Sequence, residues 1–408
     1  SFDANAQRDE RPFNRAPRSA ARAWPCPQSL KEILGLLLKS EKPMLIGGHG
    51  VWWSGAERKL EEVGLALGIP VYNIPYHQKL LSETSEAYMG LADVHQYPPS
   101  QMALAESDVV IMIGGRLDNQ MNFGNPPLFP TTTQLICVNG SAEELDLNRA
   151  ADKTLLSDPG AFLDALAQLK AEKRWNLGSD WFNAQRVRRG EWVEETLAAM
   201  HKENEGKSGV HPLKLALAVQ SAMGPEDWLV IDGGNTHFWS EIAINIAGWG
   251  GQQLAGILHP GAFSMLGVGV SFALAAKLNH PAANAVVISG DGAFLSGGLG
   301  IEAAFQEKAP IVVVIDNNGG LTTISQQQER LFGHDRHVAT DFRDIPFHTM
   351  CEGLGGYGEL VEDPDEIVPA VRRALSSGLT ACVNVRTRGV ISPIVAAVTS
   401  RRDKASIE

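Results

Sequence analysis

Short apolar runs that carry no polar alternation and stop at glycine recur along this chain. They constrain its fold more than any other feature. Pro43-Met44-Leu45-Ile46 runs into Gly47-Gly48-His49-Gly50, and Asp108 to Ile113 runs into Gly114-Gly115-Arg116. Ala285 to Ile288 leads to Gly290-Asp291-Gly292, and Ile311 to Ile315 leads to Asn317-Asn318-Gly319-Gly320. Runs without alternation are expected of strands covered on both faces, as in a parallel sheet layered between helices. Further strands are predicted at Ile69 to Ile74, Gln134 to Val138, Trp228 to Ile231 and Ala381 to Val385. Helical spacing, as from Ala56 to Leu67, fills the intervals. The expected fold class is α/β, with two doubly wound parallel-sheet domains.

A length of 408 residues suits two such units. The pattern divides the chain into an extended lead-in (1–28), a central α/β domain (29–172), a charged helical linker (173–208), a second α/β domain (209–395) and a polar tail (396–408). The lead-in reads equally as a docked arm or a disordered terminus. The linker reads as a segment that drapes over a neighbour. Lys and Arg number 35 against 47 Asp and Glu, a formal charge of −12. That balance excludes the basic footprint of a nucleic-acid binder and gives no attraction to an anionic membrane. No run approaches the ~20 apolar residues that span a bilayer, and the start lacks a signal-peptide core. Cys26, Cys137, Cys351 and Cys382 have no CxxC spacing and read as reduced thiols of a cytoplasmic protein.

The stretch from Val286 to Ile324 carries the chemistry. It reads strand, glycine turn with an acid, helix, strand, then a turn with two asparagines. Both turns leave the carboxyl ends of parallel strands, where ligands of such sheets bind. Asp291 and Asn318 can therefore face one another, and one carboxylate, one amide oxygen and nearby carbonyls suit Mg2+ completed by phosphate and water. Gly290 and Gly292 let a phosphate approach the backbone, and the following helix offers free N–H groups. A Gly-Asp-Gly triplet alone reads as a tight turn. Paired with Asn317-Asn318, with Asn318 27 positions after Asp291, it becomes specific.

That pairing resembles the thiamine diphosphate signature. Residues 29–395 as a whole resemble the central and diphosphate-binding domains of the acetolactate synthase, 2-hydroxyacyl-CoA lyase and oxalyl-CoA decarboxylase superfamily. The lyase and decarboxylase likeness is carried by Gly114-Gly115-Arg116-Leu117 with Phe123-Gly124-Asn125-Pro126-Pro127, by Asn317-Asn318-Gly319-Gly320 and by Gly355-Gly356-Tyr357-Gly358-Glu359. Asp232-Gly233-Gly234-Asn235-Thr236 is similar to the diphosphate loop of the wider group. The resemblance implies that Asp291, the Asn318 side chain and the Gly320 carbonyl bind Mg2+. It implies that Asn235, Thr236, His237, Gly290, Gly292, Ala293 and Thr322 surround the cofactor. In Gly261-Ala262-Phe263-Ser264-Met265-Leu266-Gly267, Leu266 would brace the bent cofactor from beneath, with Met265 beside it. The Ser264 carbonyl would accept from the cofactor's amino group. The sequence departs from single subfamilies at Leu321-Thr322, at Ile324, where decarboxylases carry Glu, and at Gln326-Gln327-Gln328, which lacks a Trp.

Other candidates weigh less. His259 before Pro260 divides evenly between a substrate-facing and a packing role. His334, His337 and His348 lack the Cys or extra acid of a zinc set and read first as a solvated loop region. His49 and His77 read as surface histidines, and Gly47-Gly48-His49-Gly50 fails the dinucleotide spacing.

The activity implied is a thiamine-diphosphate- and Mg2+-dependent making or breaking of a C–C bond beside a carbonyl. The substrate would be a small carbonyl compound or an acyl-CoA; the alternative is a non-catalytic cofactor-binding or regulatory subunit. Relatives add a pyrimidine-binding domain whose Glu bonds N1′ of the cofactor. No acid of residues 1–28 has a strand-turn context for that role. The expectation is therefore a large subunit that joins a small subunit carrying that domain, two of each; a shortened chain is the other explanation.

Overall fold

The computed structural model describes residues 21–74, 80–93, 96–171, 179–394 and 396. Residues 1–20 of the lead-in, His77 and the tail beyond Ala396 lie outside the described residues.

The chain forms two six-stranded sheets in which every strand pair is parallel. The first contains β1 (Pro43–Gly47), β2 (Val71–Asn73), β3 (Tyr88–Leu91), β4 (Val109–Ile113), β5 (Gln134–Asn139) and β6 (Lys153–Leu156). Its order is β3-β2-β1-β4-β5-β6. The order reverses between β1 and β4, which makes the sheet doubly wound. Alternation along each strand feeds two cores. Leu45, Ile111 and Ile136 pack with Leu30, Ile33, Leu60 and Phe162 from the helices on one face. Met44, Ile46, Val110 and Met112 pack with Tyr97, Leu104, Trp181 and Trp192 on the other.

The second sheet contains β7 (Trp228–Asp232), β8 (Gly256–Leu258), β9 (Ala285–Gly290), β10 (Val312–Asn317), β11 (Tyr357–Val361) and β12 (Ala381–Arg386). Its order is β11-β12-β10-β9-β7-β8, so the winding reverses between β7 and β9. The eight strands expected from sequence are present, the Ile69 to Ile74 run shortened to β2. The four that were not expected, β3, β6, β8 and β11, are the four sheet edges.

The helix Ser179–Asn204 does more than drape over a neighbour: it is wedged between the two sheet domains. Trp181 Nε1 donates to the Pro43 carbonyl at 2.9 Å, and Trp192 stands edge-on to Tyr97. The buried Arg189 guanidinium donates to the Tyr88 and Glu83 carbonyls, both at 2.7 Å, and its charge faces the Tyr88 and Trp249 rings. Gly190 admits the Trp249 ring, which a Cβ would meet at 3.0 Å. Tyr88 donates to Asn245 at 2.8 Å, so the two domains also bond directly. Among the described residues, no helix is long and apolar enough to cross a membrane.

Candidate functional site

Strands β10, β9 and β7 are adjacent and parallel, so their carboxyl ends deliver three turns to one edge of the second sheet. These turns carry Gly233–Thr236, Gly290–Ala293 and Asn318–Ile324. They line a cavity of about 160 Å³ at the point where the winding reverses, the expected place for a ligand. Two glycines show why the turns close as they do. Gly319 has φ +82, which most side chains resist. A Cβ on Gly292 would sit 2.4 Å from Leu321 Cδ2 and fill the cradle.

Asp291 starts the helix Asp291–Gly297 and is 2% exposed. One carboxylate oxygen accepts from the Gly292 N–H at 2.7 Å; the other accepts from Gly319 and Gly320 N–H at 2.8 and 2.9 Å. Burial, reinforced by the charge of Asp316, pushes its carboxyl up to about 7, against the pull of those N–H groups. Asp316 is itself fully buried, its carboxyl raised by burial, and it accepts from the hydroxyls of Thr236, at 2.7 Å, and Thr387. Two buried carboxylates side by side make a place where a cation is favoured. Asn318 Oδ1 accepts from the Thr322 hydroxyl at 2.7 Å, and the Gly320 carbonyl accepts from the Thr322 N–H at 3.0 Å. Among the described residues, no three His, Cys, Asp or Glu side chains converge to hold a metal. Positions 291, 318 and 320 instead offer a carboxylate, an amide oxygen and a carbonyl, hard donors that suit Mg2+ with phosphate and water.

The helix Asn235–Trp249 starts at the same edge without a side-chain cap, so its amino end can meet an anion. Leu266 closes the cavity from the loop after β8. That loop makes a tight turn at Gly261–Phe263, and Ser264 follows in the left-handed region at φ 49. Asp232 accepts from the Gly267 N–H at 3.1 Å and from the Gly269 N–H at 2.8 Å, which pins the loop to the end of β7. Leu266 is 41% exposed, and its neighbours Phe263, Ser264 and Met265 are exposed as well.

The structure thus gathers Asn235, Thr236, Leu266, Gly290, Asp291, Gly292, Ala293, Asn318, Gly320 and Thr322 around one cavity. Four sequence candidates are placed elsewhere. The His237 side chain turns from the cavity to Glu241, at 3.2 Å, because the α-helical period sends it to another face; only its backbone remains at the edge. His259 is buried edge-on to His237 and does not line the cavity. Ser264 and Met265 lie outside its lining. Asn235 lines the cavity, but its amide is engaged with the Val390 carbonyl and the Ser392 N–H. His334 and His337 pair with Glu329, and His337 with Asp341; His348 contacts Asn384. His49 starts a short helix beside a separate crevice of the first sheet.

Sequence reasoning missed Asp316 and Thr323 as parts of the site, and named Asp232 and Leu321 only within motifs, without a role. Asp316 had a signal: it is the one charge within the run Ile311 to Ile315 and the asparagines that follow. Asp232 likewise sits between an apolar run and paired glycines.

Residues 30–166 match the model of the thiamine pyrophosphate enzyme central domain, and residues 232–385 match that of the thiamine pyrophosphate enzyme C-terminal TPP binding domain. An acetolactate synthase large subunit of Mycobacterium tuberculosis is 30% identical over 373 residues, which cover 89% of this chain and 62% of the relative. A 2-hydroxyacyl-CoA lyase of Arabidopsis thaliana is 24% identical over 91% of this chain and 63% of its own length. The 2-hydroxyacyl-CoA lyase 2 of Bos taurus is 27% identical over 85% of this chain and 53% of its own length. The chain therefore spans between half and two thirds of the relatives it matches.

Proposed function

We propose, from the premise that this chain belongs to the thiamine pyrophosphate enzymes and carries their central and C-terminal cofactor-binding domains, that it makes or breaks a C–C bond beside a carbonyl with thiamine diphosphate and Mg2+. The observation that supports this most is the convergence of Asp291, Asn318, Gly320, a helix N-terminus and Leu266 on one cavity. When bound, the cofactor supplies the carbon that adds to the carbonyl and accepts the electrons of the broken bond. Asp291, Asn318 and the Gly320 carbonyl hold Mg2+. The N–H groups of Asn235, Thr236 and His237, with those of Gly292 and Ala293, receive the phosphate oxygens. Leu266, in the cavity lining, would support the cofactor from beneath.

Substrates fall in two classes: 2-keto acids, decarboxylated or joined, and 2-hydroxyacyl-CoA thioesters, cleaved; relatives named acetolactate synthase and 2-hydroxyacyl-CoA lyase support keeping both. The partner is a pyrimidine-binding domain on a second, smaller chain, whose Glu completes the site, in an assembly of two large and two small chains. The exposed Phe263, Met265 and Leu266, on the loop that closes the cavity, support such a cover. The test is exchange of the cofactor's C2 proton, followed by NMR with Mg2+ present. The chain alone should be slow, and addition of the small chain should accelerate exchange. Fast exchange from a homogeneous single-chain sample would remove the partner from the proposal. Absence of cofactor binding by calorimetry, with and without Mg2+, would remove the reading as a whole.

A further inference from the structure

The loop that carries Leu266 is held at both ends by ionisable side chains. Asp232 holds its far end through Gly267 and Gly269. At the near end, His259 Nδ1 accepts from the Gly261 N–H at 3.1 Å and sets the turn Gly261–Phe263. His259 stands edge-on to His237, with ring centroids 5.4 Å apart. His237 lies 3.2 Å from one carboxylate oxygen of Glu241, one helical turn on. The other oxygen accepts from Gln96 Nε2 at 2.5 Å, and Gln96 belongs to the first domain. Asp93 in turn accepts from the Gln96 N–H at 3.2 Å. All five of these side chains, Asp93, Gln96, His237, Glu241 and His259, are buried to nine-tenths or more. Burial alone would raise the Glu241 carboxyl, but the charges of His237 and His259 and the hydrogen bonds from His237 and Gln96 hold it below its ordinary value.

We propose that Glu241 is a positioning residue: through His237 and His259 it fixes the near end of the Leu266 loop, and through Gln96 it makes that position depend on docking of the first domain. An ionised carboxylate suits the task because both of its oxygens accept, one for each domain. A glutamine there has one oxygen and one NH2, so it must present a donor either to the imidazole side or to the Gln96 amide. The central domain thereby acts on the cofactor pocket without lining it. The inference rests on the reading of the cavity as a thiamine diphosphate site.

The experiment uses the full chain with Glu241→Gln and, separately, Gln96→Leu, neither of which touches the cavity. Amide hydrogen exchange is followed across residues 259–267. Thiamine diphosphate and inorganic pyrophosphate, each with Mg2+, are titrated by calorimetry. Exchange in 259–267 should rise about tenfold while β9 and β10 stay protected. Thiamine diphosphate affinity should fall about tenfold and pyrophosphate affinity should change less than about twofold, because only the larger ligand reaches Leu266. Unchanged exchange in both variants, or an equal fall for both ligands, would overturn the proposal. Should Glu241→Gln fail to fold, Gln96→Leu decides alone. A parent chain that binds neither ligand refutes the cofactor reading, and the exchange arm still decides whether Glu241 holds the loop.

Discussion

Replacing Gly297 with alanine should displace the Leu266 loop while leaving the Asp291 site in place. A Cβ on Gly297 would lie 1.9 Å from the Gly267 carbonyl oxygen and 3.0 Å from its Cα. Contacts under 3.0 Å are not tolerated, so the two backbones must part by about 1 Å. Neither side can yield through a side chain, since both residues are glycines. Nor can the loop slide freely, because Asp232 grips the Gly267 and Gly269 N–H groups. Gly297 has a negative φ of −144, so alanine meets no left-handed backbone penalty there. Overpacking of this kind costs about 1–3 kcal/mol. For a domain of this size that is a fall of roughly 2–12 °C in melting temperature. The functional cost should be larger in proportion. Leu266 adjoins Gly267, and a 1 Å misplacement of a positioning group can cost about 100-fold in rate. Thermal unfolding without cofactor and calorimetric titration of thiamine diphosphate against pyrophosphate read the two effects. Gly300→Ala serves as control, since a Cβ there would meet only Val270, at 3.9 Å. A Gly297→Ala variant with the melting temperature and the affinity ratio of the parent would refute the reasoning, because the close approach would then bear no load.

Asp291→Ala and Asn318→Ala should each abolish Mg2+-dependent retention of thiamine diphosphate while the fold persists, as calorimetry with and without Mg2+ and circular dichroism would show. In the cation-free parent, the raised Asp291 carboxyl holds a proton that the unfolded chain has already lost between about pH 4 and 7, so its contribution to stability declines as pH rises through that window. Mg2+ must displace that proton, so Mg2+ affinity should climb about tenfold per pH unit up to about 7 and then level off; a flat profile between pH 5 and 7 would contradict the assignment. Leu266→Ala should lower stability by less than the ~2–5 kcal/mol of a fully buried leucine, because the side chain is 41% exposed, yet weaken thiamine diphosphate binding; a large loss in the cofactor-free protein would make Leu266 ordinary core. Arg189→Met removes a buried guanidinium from the carbonyls it satisfies between the domains and should cost about 2–4 kcal/mol in urea unfolding; a loss below about 1 would show that the wedge is held by Trp181 and Trp192 instead.

The two parallel sheets were legible in the order of residues, because a central strand is buried on both faces and must be apolar throughout. The eight runs legible beforehand are the central strands, and the four missed strands are edges with a single hydrogen-bonded neighbour. An edge strand tolerates the polar residues of Lys153–Leu156, the half-buried stretch of Tyr357–Val361 or the glycine of Tyr88–Leu91, where Gly90 makes room for the Tyr97 ring. The sequence also determined the meeting of Asp291 with Asn318. Strands joined by a right-handed crossover put their ends on one edge, and the 27-position spacing leaves room for one helical crossover and one strand and little else. Directions of side chains were decided only by the tertiary structure. His237 follows Asn235 and Thr236 in the same helical turn, yet the 3.6-residue period sends it to Glu241, and His259 leaves the cavity to join it. Asn235 spends its amide on Val390 and Ser392, more than 150 positions away. Asp316 and Asp232 gained their roles in the same manner, from partners such as Thr387 and Gly267 that no local pattern connects to them. Backbone period and burial are written in neighbouring residues; hydrogen-bond partners across the chain exist only once the sheets have stacked the strand ends together.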